Sequence, residues 1–431
     1  MRYLFNAVTD PRRATRILPY LLKLGRIEKN PGDMAYERAV MNTLATDPGV
    51  QFLLTGYYYR RNGFPVRMSD EANGTCKAFV CPLADAFHPD WIWFVRALTD
   101  LVRRLKIPCV VPCVGARTES GIENEALNEA VRSFVSAVLD KSDCLGVRGE
   151  TTARYLETLG FVRGRHFDVL GCPSLYTFGE KLDVRPFAGF GKCAFTMNHR
   201  ADPAGWSFID RCASLFGRST YVSQNDTEFY HFMLSRGRWF TERGALRDRY
   251  LERYAAEGRM RYFLNHRPWL DFLSGMDFTV GHRIHGALLS ILAGTPAAVV
   301  PFESRTEELA RLHGVPLLLP IEGESETGLR DRIEGLDFST ILARQRENFP
   351  RYLAFFGRNG LKTVFDAGTP ARPDFPLERM QPATFPDDSL LPWSMNPAPF
   401  RWISDAAILA KGLQRRAIGR FRACRRPKEQ I

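Results

Sequence analysis

Met276-Asp277-Phe278-Thr279-Val280 leads into Gly281-His282-Arg283-Ile284-His285-Gly286, and Ala287-Leu288-Leu289-Ser290-Ile291-Leu292-Ala293 follows. The first run is short and apolar, like a buried strand, and the last has the apolar spacing of a helix. Gly294-Thr295-Pro296 ends that helix, and Ala297-Ala298-Val299-Val300-Pro301-Phe302 reads as a second buried strand. Strand, polar turn, helix, turn and strand make a βαβ unit. Its first turn places an arginine and two histidines at a helix N-terminus, where free N–H groups and the helix dipole attract anions. A planar cation beside a titratable imidazole points to a phosphorylated or carboxylated ligand; the plainer reading is a polar surface loop.

The same alternation extends outward in both directions. On the N-terminal side, Asn30-Pro31-Gly32-Asp33 has turn and N-cap chemistry ahead of a helix over 34–44. Strands are expected over 50–55 and 76–81, joined by a loop that holds Tyr57-Tyr58-Tyr59 and Arg60-Arg61. Further strands are expected over 108–114, 144–147 and 167–170, with helices over 88–106, 122–139 and 153–159. Residues 18–24 fit a strand or a helix equally well. Residues 175–190, with Gly179, Pro186 and Gly189, read as a crossing to a second series. That series runs from a strand at 193–197, ending in Asn198-His199-Arg200, to a strand at 315–319. Its other elements are helices over 208–216, 228–235 and 268–274 and strands over 219–222 and 261–264, whereas 236–260 is charged and shows no clear pattern.

Alternating strands and helices imply parallel sheets covered on both faces. The expected fold class is therefore α/β, two doubly wound Rossmann-like domains facing a cleft, with a C-terminal extension. The expected boundaries are 1–175 for the first domain and 190–336 for the second. A returning helical segment covers 337–369, and a Pro-rich arm with a basic amphipathic tail covers 370–431. Eight of the 27 prolines fall between 370 and 399, too many for a packed sheet or helix.

Composition narrows the partners. A chain of 431 residues, 45% hydrophobic and 12% aromatic, has the length for about two or three domains and can bury a sizeable core. The formal charge of +11 is concentrated: between Lys411 and Lys428 there are eight Lys or Arg and no acid, leaving +3 for the rest. A near-neutral body argues against nucleic acid as partner, while the tail suits the inner face of an anionic membrane or a solvated terminus. Nine scattered cysteines with no Cys-x-x-Cys pair indicate reduced thiols, no zinc site and a cytoplasmic protein. Neither a signal-peptide core at the N-terminus nor an uninterrupted membrane-length apolar run is read.

In doubly wound sheets, ligands bind beyond the carboxyl ends of the strands. The turns placed there carry Asp33, Arg148, Asn198-His199-Arg200, Arg283 and His285. Arginines on separate turns can grip two anionic groups of one small donor, and histidine can move a proton near neutral pH. No Gly-x-x-x-x-Gly-Lys and no Gly-x-Gly-x-x-Gly after a strand occurs, so the donor is read as neither ATP on a P-loop nor a dinucleotide.

Four of these segments, in this order, resemble the polysaccharide pyruvyl transferases. They are Asn30-Pro31-Gly32-Asp33, Gly146-Val147-Arg148-Gly149-Glu150, Cys172-Pro173-Ser174, and Arg283-Ile284-His285 with Gly294-x-Pro296 and Glu303-Ser304-Arg305. The chain departs from the family pattern at Gly146, Gly149, Glu150 and Arg305, and its C-terminal arm has no family counterpart. The resemblance implies transfer of a pyruvyl group from phosphoenolpyruvate to sugar hydroxyls of a polysaccharide or lipid-linked precursor, forming a ketal without a metal or other cofactor. It implies Arg148, Arg283, Arg200 and His199 as donor-binding residues and His285, Arg283 and Asp33 as catalytic. Asn30, Gly32 and Asp33 would face the acceptor, and the resemblance implies a GT-B-like arrangement with 1–175 as the acceptor-side domain and 190–336 as the donor-side domain. The rivals are a nucleotide-sugar glycosyltransferase of the same architecture and a non-catalytic glycan- or membrane-associated scaffold.

Overall fold

A computed structural model describes residues 1–8, 30–47, 49–56, 62–117, 124–198, 200–225, 245–263, 265–366 and 389–390. The first sheet holds β1 (Arg2–Phe5), β2 (Gln51–Leu54), β3 (Phe79–Val80) and β4 (Cys109–Val110), all parallel, in the order β2-β1-β3-β4. A further parallel pair, β5 (Leu145–Val147) and β6 (Phe167–Val169), extends it. Gly146 N–H donates to the Val111 carbonyl at 2.8 Å and Arg148 N–H to that of Val114 at 2.9 Å, so β5 lies alongside the chain leaving β4. The spatial order is 2-1-3-4-5-6, with its reversal between β1 and β3.

The second sheet contains β7 (Lys192–Thr196), β8 (Arg218–Ser223), β9 (Met260–Phe263), β10 (Phe278–Gly281) and β11 (Ala297–Val299). They lie parallel in the order β11-β10-β7-β8-β9. Counted within this domain the order is 3-2-1-4-5, the doubly wound arrangement, with its reversal between β7 and β10. The fold class is thus the GT-B-like pair of doubly wound α/β domains.

The domains share apolar packing. One core cluster joins Tyr3 and Phe5 of β1 and Tyr36 and Val40 of helix Asp33–Leu44 to Leu288 and Ile291 of helix Ile284–Leu292. Tyr352 and Phe356, from helix Ser339–Arg358, complete it. That last helix returns from the second domain to the first. Its Tyr352 hydroxyl lies 3.0 Å from Thr43 Oγ1, and Arg358 reaches Asp143 at 2.7 Å and Asp168 at 2.6 Å. The helix Asp33–Leu44 is buried along all its residues, because second-domain helices cover the face that an isolated domain would leave in water.

Several elements differ from the sequence reading. The central strand β1 is only four residues long and begins with an arginine, too short for period-two alternation to register. Between β2 and β3 lies a helix, Val66–Thr75, rather than an uninterrupted loop; its Asn73 and Gly74 weaken local helix propensity. Helices Ala245–Ala256 and Glu326–Glu334 were also unmarked, being charged on most faces. The 315–319 strand contributes a single bridge, Val299 to Leu317. Within the Pro-rich arm, Ser389–Leu390 pairs antiparallel with β9, correcting the expectation that this stretch joins no sheet: a two-residue edge strand between prolines needs few ladder hydrogen bonds. Residues 18–24, the Tyr57–Tyr59 cluster, the 228–235 helix and the basic 411–428 tail lie outside the described residues.

Gly281 ends β10 directly against β7. A Cβ there would overlap the Thr196 carbonyl and hydroxyl, and backbone cannot step aside cheaply. Gly281→Ala is expected to cost about 1–3 kcal/mol or more, seen as a lower urea midpoint; an unchanged midpoint would show that the two strands are less closely apposed.

Candidate active site

The carboxyl ends of both sheets open into one cleft, with a cavity of about 220 Å³ between the domains. Arg148 follows β5, is 7% exposed and enters from the first domain. His285 enters from the second, in the first turn of helix Ile284–Leu292. Arg148 Nη2 stands 3.4 Å from His285 Nε2 and 3.3 Å from Cys172 Sγ, and the guanidinium lies 5.7 Å from the Tyr36 ring centroid. A guanidinium only donates, so the imidazole Nε2 is the acceptor and its proton sits on Nδ1.

Burial, reinforced by Arg148, Arg305 and Arg283, holds the His285 imidazole well below its usual range. It is therefore neutral at pH 7. Gly32 permits its position: a Cβ on Gly32 would come within 2.6 Å of His285 Nδ1, so the turn before helix Asp33–Leu44 must be a glycine for the imidazole to fit. Asn30 braces the same turn, its Oδ1 accepting from Gly32 N–H at 3.0 Å and its Nδ2 donating to Asp33 Oδ1 at 3.2 Å. Asp33 lines the cleft in the first turn of its helix.

Asp85 is the main acid that the sequence reading missed. It sits just beyond β3, beside the first sheet's reversal, and accepts from Arg117 at 2.8 Å and from Arg305 of the second domain at 2.9 Å. Burial pushes its carboxyl up, but Arg305, Arg148 and His88 outweigh that and hold it below the usual carboxylate range. Arg305 also pairs with Glu303 at 2.6 Å. Glu308, on the second-domain helix Ser304–His313 that also carries Arg305, accepts from Thr151 N–H and so satisfies the start of helix Glu150–Thr158 across the interface. Both contacts staple the domains at the rim of the cleft. The signal for Asp85 was its place after a strand, which counts as strongly as its residue type in such folds.

The remaining candidates divide. Arg283 occupies the N-cap position of helix Ile284–Leu292 and its backbone N–H donates to Thr196 Oγ1 at 3.3 Å; its side chain lines the cavity. Arg200 is exposed at the cavity edge. His199 lies outside the described residues. His282 also lines the cavity, but its Nδ1 accepts from Asn198 N–H at 3.2 Å, shaping the β7 turn, and burial beside Arg283 pushes its pKa down to about 4. His313 braces Cys172, accepting its N–H at 2.7 Å, and burial with Arg148 nearby pushes it down to about 3. Gln224, after β8, also lines the cleft and was not singled out from sequence. Among the described residues, no group of three His, Cys, Asp or Glu side chains is arranged to hold a metal ion, and no helix is long and apolar enough to cross a membrane.

In net terms the cleft sets five arginines (117, 148, 200, 283 and 305) against four acids (33, 85, 303 and 308). Most of these arginines sit at strand ends or helix starts. Residues 100–304 match the polysaccharide pyruvyl transferase family. The pyruvyl transferase match includes Arg117, Arg148, Arg200, Gln224, Arg283 and His285, whereas Asn30, Asp33, Asp85 and Arg305 fall outside it. No curated protein matches the chain. Among solved structures, it is similar to a UDP-GlcNAc 2-epimerase from Neisseria meningitidis bound to UDP-GlcNAc, at 9% identity and a TM-score of 0.41, covering 82% of this chain and 100% of that one. It is also similar to the glycotransferase of kitacinnamycin, at 14% identity and a TM-score of 0.34, covering 83% and 96% respectively. Likeness at this level carries no argument about activity.

The buried histidines make stability depend on pH. Those at 282 and 313 have folded pKa values below the unfolded 6.5, so the unfolded chain binds more protons beneath that pH. Their contribution is complete above about pH 6.5 and falls away toward pH 4. The urea midpoint should drop over that window, and His313→Gln, which can still accept from Cys172 N–H but cannot ionise, should flatten the drop. An identical pH slope in parent and variant would show that His313 does not contribute.

Proposed function

We propose that this chain transfers a pyruvyl group from phosphoenolpyruvate to two hydroxyls of a sugar in a polysaccharide or its lipid-linked precursor, forming a pyruvate ketal. The observation that carries the reading is the meeting of Arg148 and His285 from facing domains in a buried, arginine-rich cleft. Phosphoenolpyruvate carries a phosphate and a carboxylate, and cations on both walls suit a donor with two anionic ends. The family match of residues 100–304 supports the same chemistry.

In this reading Arg148 and Arg283 take the donor's anions, with Arg200 at the edge and His199 a further donor-binding residue. An incoming phosphate draws Arg148 away from His285 Nε2 and adds negative charge beside the imidazole. Both effects favour the imidazolium, which then gives a proton to the donor's methylene carbon. A sugar hydroxyl adds to C2 and loses its proton to Asp33, the C2–O bond to phosphate breaks, and a second hydroxyl adds to close the ring. Of the two hydroxyl protons, one balances that taken up by the methyl group and the other leaves with phosphate. Asn30 and Gly32 hold the acceptor-side turn. The basic 411–428 tail is proposed to keep the chain at an anionic membrane on the cytoplasmic side, near a lipid-linked acceptor.

Thermal-shift titration tests the donor. Phosphoenolpyruvate at 100 times its Kd should stabilise the protein by about 2.7 kcal/mol, with uridine and guanosine diphosphates giving less. A response to a nucleotide alone would favour a glycosyltransferase, and no response to any of them a scaffold. Arg283→Ala should weaken phosphoenolpyruvate at least about tenfold, as loss of a charge-assisted hydrogen bond does. His285→Gln should lower kcat by about 10²–10⁴ with donor affinity largely kept; unchanged turnover would remove its proposed role.

A further inference from the structure

Gln224 has a side chain that nothing among the described residues satisfies. It stands one residue beyond β8, is 2% exposed and lines the cleft, yet neither Nε2 nor Oε1 makes a hydrogen bond. Its amide lies against the first turn of helix Ile284–Leu292, where a Cβ on Gly286 would stand 3.1 Å from Nε2. That places it at the base of the turn that presents Arg283 and His285. A buried amide with both ends unpaired is costly, and such a group in a ligand cleft is accounted for by a ligand that completes it.

The amide's two ends limit what completes it. Nε2 donates and Oε1 accepts, so the partner must present an acceptor and a donor side by side. Ionised phosphoenolpyruvate offers acceptors only. In the proposed reaction, however, the attacking sugar hydroxyl approaches C2, and the donor's carboxylate is bonded to that same carbon. Hydroxyl and carboxylate oxygen therefore come within hydrogen-bond reach of one amide. On that reading of the reaction, we propose that Gln224 positions the two substrates against each other, Nε2 donating to the donor's carboxylate and Oε1 accepting from the second sugar hydroxyl to attack C2, the first giving its proton to Asp33. The arginines on Arg148's side of the cleft are left to hold the phosphate.

Gln224→Met and Gln224→Glu test this by calorimetric titration with phosphoenolpyruvate and with orthophosphate, alongside melting of the free proteins. Q224M should bind phosphoenolpyruvate about tenfold more weakly, the loss expected for one hydrogen bond to a charged group, and orthophosphate as the parent does. Its free form should melt no lower than the parent, because two unpaired buried polar atoms have been removed. Q224E keeps the shape and the acceptor but replaces the donor with a charge. It should lose phosphoenolpyruvate a hundredfold or more and serves if Q224M folds poorly. Phosphoenolpyruvate affinity within twofold of the parent in both variants, an equal loss of orthophosphate, or a lower melting temperature for folded Q224M would each overturn the assignment. A parent chain that binds no phosphoenolpyruvate sinks the proposed function as a whole, whereas a parent that binds it and variants that bind it equally sink only the role of Gln224.

Discussion

Everything at the cleft depends on keeping one buried and several half-buried positive charges together. Arg148, Arg283 and Arg305 all lower the proton affinity of His285, and burial adds to them, so the imidazole is held neutral. Asp85 offsets part of the remaining charge by accepting from Arg117 and Arg305 at once, one from each domain. Removing one partner of such a half-buried set leaves the others less well compensated, so these contacts are screened less than fully exposed ion pairs of the same length. The cleft is thus electrostatically poised for an anion, and the same arrangement closes the two domains on each other.

Close backbone approach makes that arrangement possible. Gly32 lets His285 sit against the turn before the buried helix Asp33–Leu44, and Gly281 lets β10 lie flush on β7 so that the Arg283 turn starts at the right depth. The apolar cluster running from β1 through the Ile284–Leu292 helix to Tyr352 holds these turns without the ligand. Because that cluster spans both domains, a core substitution far from the cleft can move Arg148 relative to His285 as readily as a substitution beside them.

Gln224 and Asp85 show two ways of serving a ligand site. Asp85 is fully engaged in the free protein and its partners are given up, if at all, in exchange for an anion. Gln224 is engaged by nothing among the described residues, and on the proposed reading its cost is carried until substrates arrive. Proteins commonly hold such unfavourable groups where function requires them.

The sequence alone determined the alternation of strands and helices, and with it the doubly wound class. It also determined which polar turns end strands: those of Arg148, of Asn198 to Arg200, and of Arg283 to His285. Periodicity and turn chemistry are local, so they survive without coordinates. Weakly patterned elements escaped it, among them the four-residue β1 and the charged helix Ala245–Ala256, because pairing and packing rather than propensity hold them in place. Only the tertiary structure decided which turns meet. That Arg148 touches His285 across 137 residues, that Asp85 joins Arg117 to Arg305, that His282 braces the β7 turn, and that Gln224 finds no partner among the described residues all depend on tertiary packing. Charge, burial and hydrogen bonding act through space, and no spacing along the chain encodes them.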